Sequence, residues 1–171
     1  MLFIDVAESS GDQLKTALDI DVDLLDDGEK GFVDNVRTHG WFGTHILEDA
    51  DGPGFSYTTG FWQRFEFPEL ILFSLPKEIS QDIFWSFFHD LTAQKRFPEN
   101  EPISDVLYGY DVLMREVRSE RFAEFFGWNR WFYGGDNFKA NQVFFPDKSG
   151  RFPWSKHASP EFSRLQPNLA D

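Results

Sequence analysis

The chain of 171 residues contains no cysteine. That absence excludes a disulfide framework, a thiolate zinc site, an iron–sulfur cluster and a cysteine nucleophile. Histidine is scarce too, at four residues, so metal chemistry would rest on those four and the carboxylates. Basic residues are outnumbered, with 16 Lys and Arg against 29 Asp and Glu and a formal net charge of −13. Such a surface repels phosphate backbones and anionic lipid, so neither nucleic acid nor a membrane surface is an expected partner. No stretch approaches the roughly 18 apolar residues of a membrane span. Met1 is followed by Asp5 and Glu8 instead of a basic and then apolar leader, and the cytoplasm is the expected location.

What the sequence has in quantity is aromatic surface. Aromatics make up 18% of the chain, with 21 Phe, 6 Trp and 4 Tyr, so the core must be built largely from flat rings that each bury a large area. With 41% apolar and 26% charged residues the composition is that of one globular domain. Charge is unevenly spread. Ten acids (Asp5, Glu8, Asp12, Asp19, Asp21, Asp23, Asp26, Asp27, Glu29, Asp34) face only Lys15 and Lys30 in the first 34 residues. The reading is an acidic N-terminal extension over 1–30, joined to a core domain over 31–171 that ends in a Pro-rich arm.

Ser10 and Gln13 have capping-box spacing before Leu14, Ala17 and Leu18, which predicts a short helix near 10–18. Phe32, Val33 and Val36 predict a helix over 28–38 stopped by Gly40. Alternating residues around Asp51-Gly52-Pro53-Gly54 predict an antiparallel hairpin of 41–48 with Phe55–Phe61. Leu70–Leu75 is a continuous apolar run closed by Pro76, as in a central strand buried on both faces. Ile79, Ile83, Phe84, Phe87, Phe88 and Leu91 predict an amphipathic helix over 78–95. A loop over 97–105 is followed by a strand or long hairpin arm over Val106–Val117. Ser119 then caps a helix stopped by Gly127, and Asn141–Phe145 forms a last short strand. Strands that cluster and alternate irregularly with helices give the fold class: α+β, a mostly antiparallel sheet with packed helices in a single domain.

Familiar chemical motifs fail one by one. Asp19, Asp21 and Asp23 have calcium-loop spacing, but Leu24 stands where that loop needs Gly and Lys30 where it needs a bidentate carboxylate. His39 and His45 are near each other without a third ligand, and His89 and His157 have no local partner. Ser56 sits in a strand, away from any nucleophile elbow. Gly134-Gly135 precedes no Lys-Ser/Thr pair, which excludes a P-loop. What remains is a set of polar or amphipathic residues at strand ends and tight turns: Tyr57, Thr58, Thr59, Arg64, Glu69, Gln142, Asp147, Arg151 and Trp154. They read either as a small cleft for a ligand or partner, or as buried pairs stitching loops together.

The same positions lie in ordered motifs: His39-Gly40-Trp41, Gly52 through Phe61, Pro68-Glu69-Leu70-Ile71, Gln142 through Asp147 with Gly150 through Trp154, and Gln166-Pro167. Together, over roughly 31–169, the chain resembles the bacterial domain of unknown function 4262. Phe145 stands where that family commonly has Trp, and the acidic extension lies outside the pattern. The resemblance implies a compact bacterial domain and brings no activity or catalytic residues with it.

Two functions follow as expectations. The first is a non-catalytic, immunity- or antitoxin-like domain whose acidic surface docks on a basic protein, with no cofactor. The alternative is a small-ligand enzyme of split-barrel type binding FMN, with Arg64 beside Thr58 and Thr59 at the phosphate. For Arg151 a buried fork with Asp147 or Glu69 is expected, and for Trp154 a seat on an aromatic surface.

Overall fold

The computed structural model describes residues 14–171; the Ser10 and Gln13 capping pair lies outside them. A capping box does form a turn later, where the Thr16 hydroxyl accepts from Leu18 N–H and the Asp19 carboxylate accepts from Thr16 N–H, around a single 3₁₀ turn at Ala17–Asp19. A second 3₁₀ turn, Val22–Leu24, leads to α1 (Asp27–His39), which Asp26 and Glu29 cap reciprocally. Gly40 ends α1 with φ 84°, where a residue without Cβ carries no steric cost. Helix α1 therefore runs across the expected boundary at residue 30.

Strands β1 (Phe42–Ile46) and β2 (Phe55–Thr59) form the expected hairpin, and β3 (Glu69–Phe73) pairs antiparallel with β2. Between β2 and β3 lies the short helix α2 (Phe61–Phe65), so the strand predicted to reach Phe61 ends at Thr59. The predicted amphipathic helix is α3 (Lys77–Thr92). The segment 97–117 differs from expectation. Ile103–Leu107 is β4, Tyr110–Glu116 is β5, and Tyr108-Gly109 is the turn between them. Ser119 lies within a 3₁₀ turn instead of capping a helix, and Gly127 opens a helix instead of stopping one: α4 is Phe122–Phe125 and α5 is Gly127–Phe132. Strand β6 (Ala140–Phe144) completes the sheet. The tail holds a helical turn, α6 (Pro160–Leu165), whose Ser159 side chain accepts from Phe162 N–H.

The six strands run in the order β1-β2-β3-β6-β5-β4, antiparallel throughout except for the central β3–β6 pair, which is parallel. This is an α+β fold with a mostly antiparallel sheet. Alternation along β3 feeds two cores. Leu70 and Leu72 join Ile83, Phe84, Phe87 and Leu91 of α3 on one face, while Ile71 and Phe73 join α1, α4 and α5 on the other. A strand between two helical layers has no polar face, so its run of apolar residues is continuous. The second core also takes in Ala17, Leu25 and Leu169. Residues at both ends of the described chain thus belong to the packed body.

Candidate functional site

The strand-end residues fall into separate places. Thr58, Thr59 and Glu69 meet in the interior, each 0% exposed. Gly60 follows β2 with φ 118°, and a Cβ there would stand 2.8 Å from the Gly40 carbonyl oxygen, so the chain can turn into α2 at this point only without a side chain. A glycine has no side chain with which to cap a helix, and α2 starts buried. Glu69 supplies the missing acceptor from the neighbouring strand. Its Oε1 accepts from Gly60 N–H (2.7 Å) and Trp62 N–H (3.2 Å), and its Oε2 accepts from Phe61 N–H (3.2 Å) and the Thr58 hydroxyl (2.6 Å). The Tyr133 hydroxyl donates to Oε1 and accepts from Gln63 N–H at 3.2 Å. Every free amide of the first turn of α2 is thereby satisfied. Burial nevertheless dominates the Glu69 carboxyl and pushes its pKa up to about 7. Burial and the adjoining carboxylate push the Tyr133 hydroxyl upward, so it stays protonated.

Asn129 joins α5 to the same place: its Nδ2 donates to the Thr58 carbonyl at 2.9 Å, and its Oδ1 accepts from the Thr59 hydroxyl. Tyr57 serves α5 as well, accepting from Trp128 N–H at 3.2 Å. This network is a clasp between sheet and helices, closed to solvent. Asn129 and Tyr133 were not picked out in the sequence; a polar residue in the aromatic run 125–133 was the signal that could have found the first.

The remaining candidates lie elsewhere. Arg64 is exposed, with its guanidinium over the rings of Phe65 and Phe88. Since the Thr58 and Thr59 hydroxyls are buried and engaged, these three do not form the phosphate cradle that the flavin reading required. Gln142 latches the tail, donating to the Pro167 carbonyl (2.6 Å) and accepting from Leu169 N–H (3.0 Å). Asp147, and not Glu69, holds Arg151, at 3.0 Å, in an exposed turn. The expected desolvated fork is absent there because the turn needs no buried cation. Backbone donation from Arg151 and Ser149 holds the Asp147 carboxyl below its usual range. Trp154 does seat on aromatic surface, edge-on to Phe144 and stacked on Phe152, and the guanidinium over it, at 3.7 Å from the ring centre, belongs to Arg115.

Accessible chemistry gathers instead along β1, the terminal strand of the sheet. The β1–β2 hairpin exposes Leu47 (87%) and Ile46 (42%) beside Leu165 (45%) of α6. With Phe55 the hairpin residues line two shallow hollows of about 460 and 350 Å³. Glu48, Asp49 and Asp51 rim this surface, all exposed, and no Lys or Arg occurs between residues 38 and 63. Two bases stand on the far rims: Arg121, paired with Glu124 at 3.3 Å, and the exposed Lys77 beside the smaller hollow.

On the other side of β1, a hollow of about 300 Å³ is lined by Trp41, Trp85, His39, His45, Gln81 and Lys77 among others. His45 bridges two elements there, with Nδ1 2.7 Å from the Ser56 hydroxyl and Nε2 3.1 Å from Gln81 Oε1. The amide oxygen can only accept, so Nε2 carries the proton and Nδ1 accepts from Ser56. Partial burial lowers the His45 pKa, and Lys77 adds to the effect. His39 and His45 share this hollow, but among the described residues no group of three His, Asp or Glu could hold a metal ion.

Among the described residues, no helix is long and apolar enough to cross a membrane. Comparison with known proteins gives no match to a curated protein and none to a solved structure. Residues 35–159 match the family model described as Domain of unknown function (DUF4262). That span runs from within α1, through the clasp at Glu69, to the threshold of α6, and so takes in the whole sheet: the chain belongs to the DUF4262 family.

Proposed function

We propose that this domain is a protein-docking module of the immunity or antitoxin kind, which receives a basic partner protein on the acid-rimmed apolar surface of the β1–β2 hairpin. One observation carries the reading: Leu47, 87% exposed, stands with Ile46 and Leu165 inside a rim of Glu48, Asp49 and Asp51. An exposed leucine alone is ordinary. A contiguous apolar patch with hollows on either side and a rim in which acids outnumber bases has the anatomy of a binding surface, an apolar centre for affinity and a charged rim for steering. The net charge of −13 extends that field over the molecule, favouring a cationic protein and opposing nucleic acid.

The test titrates the purified domain, by calorimetry at low and high salt, with each basic protein encoded beside its gene. One of them is expected to bind, more weakly as salt rises, and Leu47→Glu should weaken it by roughly tenfold or more, as loss of a central apolar anchor does. If none binds, or if Leu47→Glu leaves the affinity unchanged, the reading falls.

A further inference from the structure

The hollow between α1, β1 and α3 differs in charge from the rest of the molecule. In a chain with 29 acids against 16 bases, none of its lining residues (Asn35, His39, Trp41, Phe42, Gly43, His45, Lys77, Gln81, Trp85) is a carboxylate, and one is a lysine. Lys77 is also the first residue of the sixteen-residue helix α3, which has no side-chain cap at its N-terminus. The helix dipole and the ammonium group therefore add at the same place, against the single charge of Glu78 beside them.

The walls are flat. Trp41 and Trp85 meet edge to face with centroids 5.1 Å apart, and Phe42 adds a third ring. Gly43 lets Gln81 and the Trp41 ring pack close against β1, because a Cβ there would lie 2.9 Å from Gln81 Oε1 and 3.3 Å from the Trp41 ring. One donor in the wall is uncommitted: Gln81 spends its oxygen on His45, leaving its amide N–H groups. His45 has both ring nitrogens engaged and acts as a fixed wall.

From aromatic walls, the unspent Gln81 amide and a lone cation without a neighbouring carboxylate in the lining, we infer that this hollow binds a small aromatic carboxylate, its ring against Trp85 and Phe42 and its carboxylate toward Lys77 and Gln81. The volume, about 300 Å³, suits a ligand of one or two rings.

The probe is benzoate, titrated into ¹⁵N-labelled full-length protein while the indole N–H resonances are followed. Saturable shifts of the Trp41 and Trp85 indole signals are expected. Replacing benzoate by uncharged benzamide, or Lys77 by Met, should weaken binding by about tenfold, as loss of one charge-assisted hydrogen bond does. Lys77 is exposed, so Lys77→Met is expected to fold. Lys77 and His45 also border the smaller docking hollow beside Leu47, so the control is Asp51→Asn, on the rim of the larger docking hollow and outside both of those linings. It should leave benzoate affinity unchanged, which separates this site from the docking surface. Indole signals that do not move with benzoate, equal binding of benzamide, or an unchanged affinity in Lys77→Met would each overturn the assignment.

Discussion

At the scale of single residues, Glu69 is the position where sequence and structure part most instructively. Its placement before an apolar strand was legible, and so was its proximity in the chain to Thr58 and Gly60. Its role was not, because a carboxylate that caps a helix from a neighbouring strand leaves no periodic trace. Glu69→Gln keeps the shape and loses the charge. In either orientation the new amide N–H₂ faces at least one backbone N–H of the α2 turn, Phe61 on one side or Gly60 and Trp62 on the other. These donors cannot turn away, so the variant should lose about 1–3 kcal/mol, the cost of leaving buried donors unmatched. The pH dependence has a definite sign. A carboxyl raised from 4.5 to about 7 on folding binds its proton more tightly in the folded state. Its contribution to stability is therefore fullest below pH 4.5 and falls as pH rises toward 7. All other carboxylates are common to both proteins, so the gap between wild type and Glu69→Gln should narrow from pH 5 to pH 8 in urea titrations. A gap that stays constant or widens means that the folded carboxyl is not raised.

At the scale of elements, periodicity served well where an element packs by one face or by both. The amphipathic pattern of α3 and the apolar run of β3 gave their own positions, because burial decides each residue there. Short elements held by their neighbours were not legible. Helix α2 has five residues and depends on Glu69 and Tyr133 for its first turn; α5 begins at a glycine and is tied down by Tyr57 and Asn129. The tail is the same case. The sequence marked only a Pro-rich arm there; α6 forms within it, and the backbone beyond it is held from β6. Gln142 takes both Pro167 and Leu169, while the Gln166 amide donates to the Phe145 carbonyl (2.9 Å) and accepts from Phe145 N–H (3.0 Å). These bonds hold Leu169, 0% exposed, within the core. Leu169→Ala should cost about 2–5 kcal/mol, as a buried leucine cut to alanine does. A chemical-denaturation midpoint that does not move would show that the tail does not contribute to the fold.

At the scale of the whole molecule, the uneven charge of the sequence suggested an extension dispensable for folding. Composition registers charge but not which side of a segment faces inward. In residues 14–26 the acids Asp19, Asp21, Asp23 and Asp26 are exposed, while Thr16, Ala17 and Leu25 are buried. The segment thus buries Ala17 and Leu25 on its inner side and turns its acids outward, interleaved with the exposed Leu14, Ile20, Val22 and Leu24. Arg37 of α1 fastens it further, donating from Nη2 to the Leu18 carbonyl at 2.8 Å, and Asp26 caps α1. A chain beginning at Asp27 would lose the burial of Leu25, about 1.5–3 kcal/mol, together with the cap, about 1 kcal/mol. It would also shed several mutually repelling acids, which works in the opposite direction and is screened by salt. The two effects separate by ionic strength. The truncated chain should unfold at lower urea than the full chain, and its deficit should grow as salt is added, because salt relieves repulsion mainly in the full chain. A truncated chain as stable as the full one at every salt concentration would make residues 14–26 a passenger on the core, and the boundary at residue 30 would stand.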